Sequence, residues 1–271
     1  MSHIALDEVI RRIHDLPSLP AVVAELLSSM AQEDVDLHYL SGRIALDQAL
    51  TAKTLRLANS SFYGMPSKVN SIQQAMSVLG LHSVRTLVMA CGVISAVPPA
   101  AGSALDFDLF WRQAIATAVW ARALARHLRQ SPDTAFTAGL LHNLGTLVLA
   151  TRFPQEYVAV PAWRQAHADA SVADAELAVF GVDHAHTGSA LAAHWRFPQA
   201  IQDAISHQHR ADAIGLAQAV GLAHCLAEPS DASPAQREQA WSTLAFDDEQ
   251  RQQLTQQCPL MVSDLCQILV S

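Results

Sequence analysis

The chain has 271 residues, of which 51% are hydrophobic and only 15% charged, and its formal net charge is −8. This apolar fraction excludes an intrinsically disordered protein. The acidic balance, with lysine only at positions 53 and 68, argues against a nucleic-acid partner and against docking on anionic lipid. We therefore expect a globular protein whose partners are neither nucleic acid nor membrane.

The N-terminal sequence and the cysteines indicate a cytoplasmic protein. The first 16 residues, MSHIALDEVIRRIHDL, are charged throughout and lack the apolar core of a signal peptide. The most apolar stretch, 78–97, is interrupted by His82 and Arg85, which favours a buried helix over a membrane span. The four cysteines form no Cys-x-x-Cys pair, so we expect reduced thiols.

Helical periodicity and abundant alanine predict an all-α protein. In the first part of the chain, Leu-Pro-Ser-Leu-Pro at 16–20 ends one short helix and starts the next. Ser71 with Gln74 resembles a capping box, and Gly80 is a typical helix end. The helices expected after Pro20 cover 21–30, 37–46, 49–58, a segment that starts at Ser71, and about 82–97.

A linker is predicted at 98–104, Pro-Pro-Ala-Ala-Gly-Ser-Ala, because this segment has no large apolar residue. It divides the chain into two helical lobes, 1–97 and 105–271. A second loop is expected at 228–236. The helices expected in the second lobe cover about 106–129, 133–150, 155–168, 171–180, 183–195, 198–208, 212–227, 237–257 and 260–270.

Nine of the thirteen histidines lie after the predicted linker, and three of them are one helical turn from a glycine. Small neighbours leave room for a ligand, a water molecule or another backbone. Converging imidazoles would suit a transition metal. Buried, hydrogen-bonded histidines explain the same pattern, and the spacing leaves both interpretations open. The three are His142 with Gly139 and Gly145, His184 with Gly188, and His224 with Gly221.

The segment 139–145, Gly-Leu-Leu-His-Asn-Leu-Gly, resembles the signature of HD-domain metal-dependent phosphohydrolases. Segments 180–184 and 205–209 extend this resemblance. In the first lobe, Leu-Arg-Leu-Ala-Asn-Ser at 55–60 followed by Phe-Tyr-Gly is similar to the HDOD family. The resemblance covers about 16–227. It implies an HD-like helical bundle in the second lobe and a bacterial signalling protein related to the HD-GYP cyclic di-GMP phosphodiesterases.

Three positions depart from the HD pattern and imply a vestigial site without catalytic residues. Gln113 occupies the place of the first ligand histidine, Asn143 that of the defining aspartate, and His224 that of the closing aspartate. The Gly-Tyr-Pro loop is absent. Lost carboxylates deprive a metal site of its bridging ligand and of an anion that holds the nucleophilic water. A single transition metal on the candidate ligands stays open, and these are His142, His184, His207 and His224.

The resemblance implies a non-catalytic signal-transduction module, a pseudoenzyme that acts through contacts with sensor or output domains. Its expected partner surface is Arg56, Asn59, Ser60, Phe62 and Tyr63. The same residues would also fit a capped turn or a surface that couples the two lobes. Two further alternatives are a residual metal-dependent cyclic-dinucleotide phosphodiesterase and a nucleotide-binding sensor that uses the histidine-rich pocket.

Overall fold

The structure, a computed structural model, describes residues 6–14, 18–28, 36–96, 105–167, 170–227 and 232–270. These described residues form helices and turns and no strand, which confirms the predicted all-α class. The first six helices are α1 Leu6–His14, α2 Ala21–Ser28, α3 Leu37–Ala45, α4 Gln48–Ala58, α5 Ile72–Leu79 and α6 Leu81–Ala96.

Eleven helices follow in the second half of the described chain, and α7 is the central one because it packs against α8, α15 and α17. The helices are α7 Phe107–Ala125, α8 Pro132–Leu141, α9 Leu144–Arg152, α10 Pro154–Tyr157, α11 Ala159–Ala166, α12 Val172–Phe180, α13 His184–His194, α14 Gln199–His207, α15 Gly215–Ala227, α16 Pro234–Leu244 and α17 Asp248–Leu269.

Capping residues set several helix ends as the sequence predicts. The Ser71 side chain accepts a hydrogen bond from the Gln74 backbone, and Gly80 ends α5 with a φ of 83°. The box is shifted by one residue, because Gln74 Oε1 accepts from the Asn70 backbone instead of from Ser71. Only glycine adopts such a φ without strain, so Gly80 allows the chain to turn directly into α6.

Several predicted helices differ from the structure, and the one expected at 155–168 is divided into α10 and α11. The helix expected at 133–150 is interrupted by Asn143, whose φ of −104° and ψ of 10° separate α8 from α9. A break expected at 258–259 is absent, since α17 continues through Pro259. The chain turns earlier, at Ala245, which has a left-handed φ of 51°. Capping by Asp247 then starts α17. One cap is worth less than an internal proline costs, so burial of Cys258, Leu265 and Leu269 on α17 supplies the rest.

Two terminal helices run across the expected lobe division. Helix α1 packs against α9 and α13, and α17 packs against both α4 and α7. The predicted linker 98–104 and much of the loop 228–236 lie outside the described residues. The division at 1–97 and 105–271 therefore stays a prediction. No helix among the described residues is long and apolar enough to cross a membrane.

Candidate functional site

His142 is the deepest residue of the candidate site and is fully buried at the end of α8. Its Nδ1 lies 2.7 Å from the Gly139 carbonyl oxygen and donates to it. Its own carbonyl accepts from Gln208 Nε2 at 2.9 Å. Because the proton of a neutral ring is then on Nδ1, Nε2 carries a lone pair. This Nε2 has no hydrogen-bond partner among the described residues.

His184 is bound to a buried carboxylate. Glu176, on α12, is 0% exposed, and its Oε2 lies 2.5 Å from His184 Nδ1 and 2.7 Å from the His184 backbone nitrogen. The other oxygen, Oε1, accepts from the Thr146 hydroxyl at 3.1 Å. A buried carboxylate needs such donors, because an unpaired charge in the interior is costly. Glu176 therefore fixes the orientation of the His184 ring.

His209 and His224 complete a contiguous group of imidazoles. His184 Nε2 and His209 Nε2 are 2.7 Å apart, so one ring donates a proton to the lone pair of the other. The ring centres of His209 and His224 are 6.3 Å apart, and those of His224 and His142 are 5.1 Å apart. We call Glu176, His142, His184, His209 and His224 the histidine cluster.

The surroundings of the histidine cluster disfavour protonated imidazoles. Burial, and next the neighbouring His224, lower the pKa of His142 well below its usual range. Burial and the adjacent His184 and His224 lower the pKa of His209 to about 3. Desolvation penalises the charged form of a buried histidine, and further imidazoles nearby add to that penalty. His142, which is fully buried, is therefore neutral at physiological pH.

The glycines beside these histidines admit other backbones. A Cβ on Gly145 would lie 2.0 Å from the His184 carbonyl oxygen, which shows that α9 and α13 are in direct backbone contact. A Cβ on Gly221 would lie 2.3 Å from the Gln208 carbonyl oxygen, and one on Gly139 would meet α7 at 2.8 Å. The sequence left open whether these glycines make room for a ligand, a water molecule or another backbone. The structure places another backbone beside each of them.

A cavity of about 800 Å³ lies over the outer side of the histidine cluster. His209 and His224 line it, together with residues of α12, α15 and α16 and of the segment 208–213. Its size is in the range of small-molecule sites. The polar residues on its walls are mostly amides and hydroxyls, namely Ser171, Gln208, Gln218, Gln236, Gln239 and Thr243.

The structure brings together three of the six residues that the HD resemblance selects, His142, His184 and His224. Gln113 lies half-buried on α7, and Asn143 is half-buried at the start of α9 without a side-chain capping bond. His207 is exposed and lines a separate cavity of about 450 Å³ beside Gln130 and Arg210. His209 contacts His184 in the position expected of His207.

The expected metal ligands do not fit a metal ion in this arrangement. Among the described residues, no three His, Cys, Asp or Glu side chains converge so that they could hold one. Two nitrogens on one tetrahedral zinc would be ~3.3 Å apart, given Zn–N bonds of about 2.0–2.1 Å. The 2.7 Å between His184 and His209 is a hydrogen bond, which occupies the Nε2 atoms that would bind the metal.

Sequence reasoning missed Glu176 and His209, although both carry a signal. Glu176 lies on the buried face of α12 with Ala175, Val179 and Phe180, and a lone carboxylate on an apolar face needs a partner. His209 lies in segment 205–209, which is part of the resemblance to HD domains, and it directly follows Gln208.

Phe62 and Tyr63, of the expected partner surface, lie against helices α7 and α8 of the predicted second lobe. The Phe62 ring is 5.3 Å from that of Phe136, and the Arg122 guanidinium lies 4.7 Å from the Phe62 centroid and 4.9 Å from that of Tyr63. Arg122 also pairs with Asp133, which accepts from the Ser83 hydroxyl at 3.0 Å. We call these residues, Phe62, Tyr63, Ser83, Arg122, Asp133 and Phe136, the lobe contact.

The other three residues of that surface contact their own chain as well. Asn59 accepts from the Val69 backbone at 2.7 Å and donates to its carbonyl at 2.8 Å, so it pins the loop after α4. Ser60 is buried and donates to Leu57. Arg56 is exposed and donates to the Gln267 carbonyl of α17 at 3.3 Å. Arg56 and Asn59 line a groove of about 580 Å³ against α17.

Several solved structures are similar to this one. A protein from Shewanella amazonensis SB2B named "Putative phosphohydrolase" has 27% sequence identity and a TM-score of 0.79, with 96% of this chain and 97% of that chain covered. An HDOD domain protein with unknown function from Geobacter sulfurreducens has 20% identity and a TM-score of 0.78, with 98% and 100% covered. The latter likeness shows the fold alone.

A curated relative, an uncharacterized protein from Treponema pallidum (strain Nichols), is 29% identical over 205 residues. That alignment covers 73% of this chain but only 38% of the relative, so this chain spans well under half of the relative's length. The HDOD domain family matches residues 16–211, which include both the Leu-Arg-Leu-Ala-Asn-Ser segment and the histidine cluster apart from His224. The chain belongs to the HDOD family.

Proposed function

We propose that this chain is a regulatory, HD-related module that works without catalysis and passes signals through contacts with other proteins. The observation that carries the proposal is the histidine cluster. Asn143 stands where the HD pattern has aspartate, and His184 Nε2 and His209 Nε2 are hydrogen-bonded to each other. Phosphoester hydrolysis in this superfamily needs a metal-activated water, and within the described part of the chain no three His, Cys, Asp or Glu side chains converge to hold the metal.

The test is a hydrolysis assay on the purified chain with cyclic di-GMP and bis(p-nitrophenyl) phosphate, each with added Mn²⁺. We expect no turnover above that of buffer, and elemental analysis after dialysis should find no stoichiometric metal. Turnover that scales with protein concentration and disappears in both His142→Ala and Glu176→Gln would overturn the proposal. Requiring both variants separates activity of this site from a contaminating phosphatase.

A residual phosphodiesterase is the second candidate. The name of the Shewanella amazonensis protein supports it, and so does Glu176, a buried carboxylate on His184 that offers a base which the sequence pattern lacks. Stoichiometric metal that survives dialysis would favour this candidate over the first. The same preparation therefore decides between the two.

The proposed partners are sensor or output domains of signalling proteins. In support, a structurally similar protein from Marinobacter aquaeolei VT8 is named "Putative signal transduction protein". It has 24% sequence identity with this chain, which covers 62% of it. Phe62 and Tyr63 are committed to the lobe contact and the Asn59 amide to Val69, so we assign partner contacts to the exposed Arg56 at the rim of the α17 groove. Substituting Arg56 by Ala should then weaken partner binding without changing the folded state.

We also assign the module to the cytoplasm. All four cysteines are free, three of them buried, as expected for a reducing compartment. Equal thermal stability of the module with and without a reductant would agree with this location. Loss of the folded state on addition of dithiothreitol would contradict it, because only a disulfide-dependent fold responds in that way.

A further inference from the structure

The cavity over the histidine cluster has the features of a ligand site that differs from a phosphohydrolase site. We propose that it binds a small ligand that carries an amino group and no phosphate. This inference goes beyond the proposed function, because ligand binding requires neither a protein partner nor the absence of turnover. Three properties of the cavity support it, namely its committed charges, an unpartnered buried acceptor and a second acceptor beneath it.

The charged residues on the cavity wall are already paired. Asp174 accepts from the Ser171 backbone and hydroxyl at 2.9 and 2.7 Å, and Asp183 caps α13 by accepting from the His186 backbone at 2.8 Å. Arg210 is the cationic residue that lines the cavity, and it donates twice to Asp212 at 2.9 Å. A phosphate entering the cavity would therefore have to displace a carboxylate from Arg210 before it gained a cationic partner.

Gln208 presents a hydrogen-bond acceptor that has no partner among the described residues. Gln208 lines the cavity and is only 4% exposed, yet its Oε1 is unbonded among the described residues. The amide orientation is fixed, because Nε2 donates to the His142 carbonyl at 2.9 Å. A flipped amide would place two acceptors against each other. A buried acceptor without a donor costs about 1–3 kcal/mol, which a ligand N–H group would recover.

His142 supplies a second acceptor one layer deeper. Its Nδ1 donates to Gly139, so Nε2 offers a lone pair and also has no partner among the described residues. His224, which lines the cavity, lies against His142 with ring centres 5.1 Å apart. Gln208 and His142 thus form an acceptor-rich floor next to the Glu176 carboxylate. Such a floor selects donors and repels anionic oxygens.

Matched nucleoside pairs test this selection directly. Adenosine and inosine differ by an amino group in place of an oxygen, and so do cytidine and uridine. We expect isothermal titration calorimetry to show binding of the amino-bearing member in at least one pair. Its deaminated counterpart should bind at least ten-fold more weakly, and the corresponding 5′-monophosphate should also bind more weakly than the nucleoside.

Gln208→Leu removes the acceptor and should lower the affinity for the amino-bearing nucleoside at least ten-fold. Gln73→Leu, the same change at an exposed position of α5, should leave the affinity unchanged. No binding by any member of the two pairs, or tighter binding of the monophosphates, would overturn the proposal. So would wild-type affinity in Gln208→Leu. Comparison of the nucleosides uses the unaltered chain, so it decides even where the variant does not fold.

Discussion

The histidine cluster and the lobe contact are both built from polar and aromatic side chains, but they differ in whether their charged and polar groups have partners. In the lobe contact, Arg122 pairs with Asp133 and covers two aromatic rings, and Ser83 donates to the same carboxylate. The attractive contacts there are an ion pair of opposite charges and a guanidinium that lies over the faces of two aromatic rings. In the histidine cluster, the one carboxylate binds His184 among four imidazoles, and buried acceptors on His142 and Gln208 lack donors among the described residues.

This difference indicates which region can still respond to a ligand. In the lobe contact the polar groups have hydrogen-bond partners, which they would lose if its helices separated. Such a contact therefore holds these helices in one arrangement. An under-satisfied buried group has free energy to gain from a new donor. Within the expected partner surface, Phe62 and Tyr63 already have contacts with Phe136 and Arg122 of the same chain. The following variants probe this contrast in order of decreasing effect.

The largest effect is expected from Gly145→Ala, which forces α9 and α13 apart. The added Cβ would lie 2.0 Å from the His184 carbonyl oxygen and 2.6 Å from its Cα, and neither backbone atom can move aside alone. We expect a loss of more than about 3 kcal/mol in the free energy of unfolding, measured by urea denaturation. The matched control is Gly42→Ala in α3, where nothing lies within 4 Å of the new Cβ.

Gly42→Ala should stabilise the protein by up to about 1 kcal/mol, because alanine has the higher helix propensity. If both alanine variants changed stability alike, the close contact between α9 and α13 would be wrong. A loss confined to Gly145→Ala would show that the histidine cluster rests on this backbone approach.

Glu176→Gln should cost about 3 kcal/mol, because it removes the buried negative charge that orients His184. The amide group would also turn its donors towards the His184 backbone N–H or the Thr146 hydroxyl, both of which already donate to Glu176. Glu238→Gln, an exposed carboxylate paired with Arg251, is the control and should change stability little. Equal effects in the two variants would contradict the assigned role of Glu176.

Helical phase explains how far the site could be predicted from the sequence. Ile201, Ala204 and Ile205 predict one buried face of α14, and the next position on that face is 208. The same phase places His207 outside and Gln208 inside, as the structure has them. The HD resemblance instead selected His207, because a signature aligns residue types and carries no information about the local rotation of the helix.

Contacts between distant segments are the part that no local pattern could supply. His184 and Glu176 are separated by a turn at Gly181, and His209 reaches His184 only because α13 and α14 pack together. The all-α class, the cap at Ser71 and the stop at Gly80 follow from neighbouring residues, so they were predictable. The contact of Phe62 with Phe136 depends on how the two predicted lobes meet, and the periodicity within either lobe does not predict this arrangement.

Acid should weaken the histidine cluster through His142. Its pKa is lowered in the folded state, so below the unfolded value of about 6.5 the unfolded chain binds a proton that the folded chain does not. Stability from this group is therefore complete above pH 6.5 and is lost as pH falls. Between pH 7.0 and 5.5 the wild type should lose roughly 1 kcal/mol more than His142→Gln, measured by urea denaturation at each pH.

The comparison with His142→Gln is made on the pH dependence, so a constant loss from the substitution itself cancels. His82→Gln replaces an exposed imidazole on α6 by the same amide and controls for the chemistry of the change. A wild type and a His142→Gln variant with parallel pH profiles would show that His142 titrates alike in both states. The full burial of the His142 ring in the folded state would then be wrong.

The smallest effect is expected in the lobe contact, from a double-mutant cycle of Asp133→Asn and Arg122→Gln. Both side chains are about one-fifth exposed, so solvent screens their pairing, and we expect a coupling energy of about 1 kcal/mol. Asparagine keeps an acceptor for Ser83, which limits the loss to the charge pair. A coupling near zero would mean that the aromatic rings alone hold Arg122. The lobes would then be joined by packing rather than charge, and high salt would leave their docking unchanged.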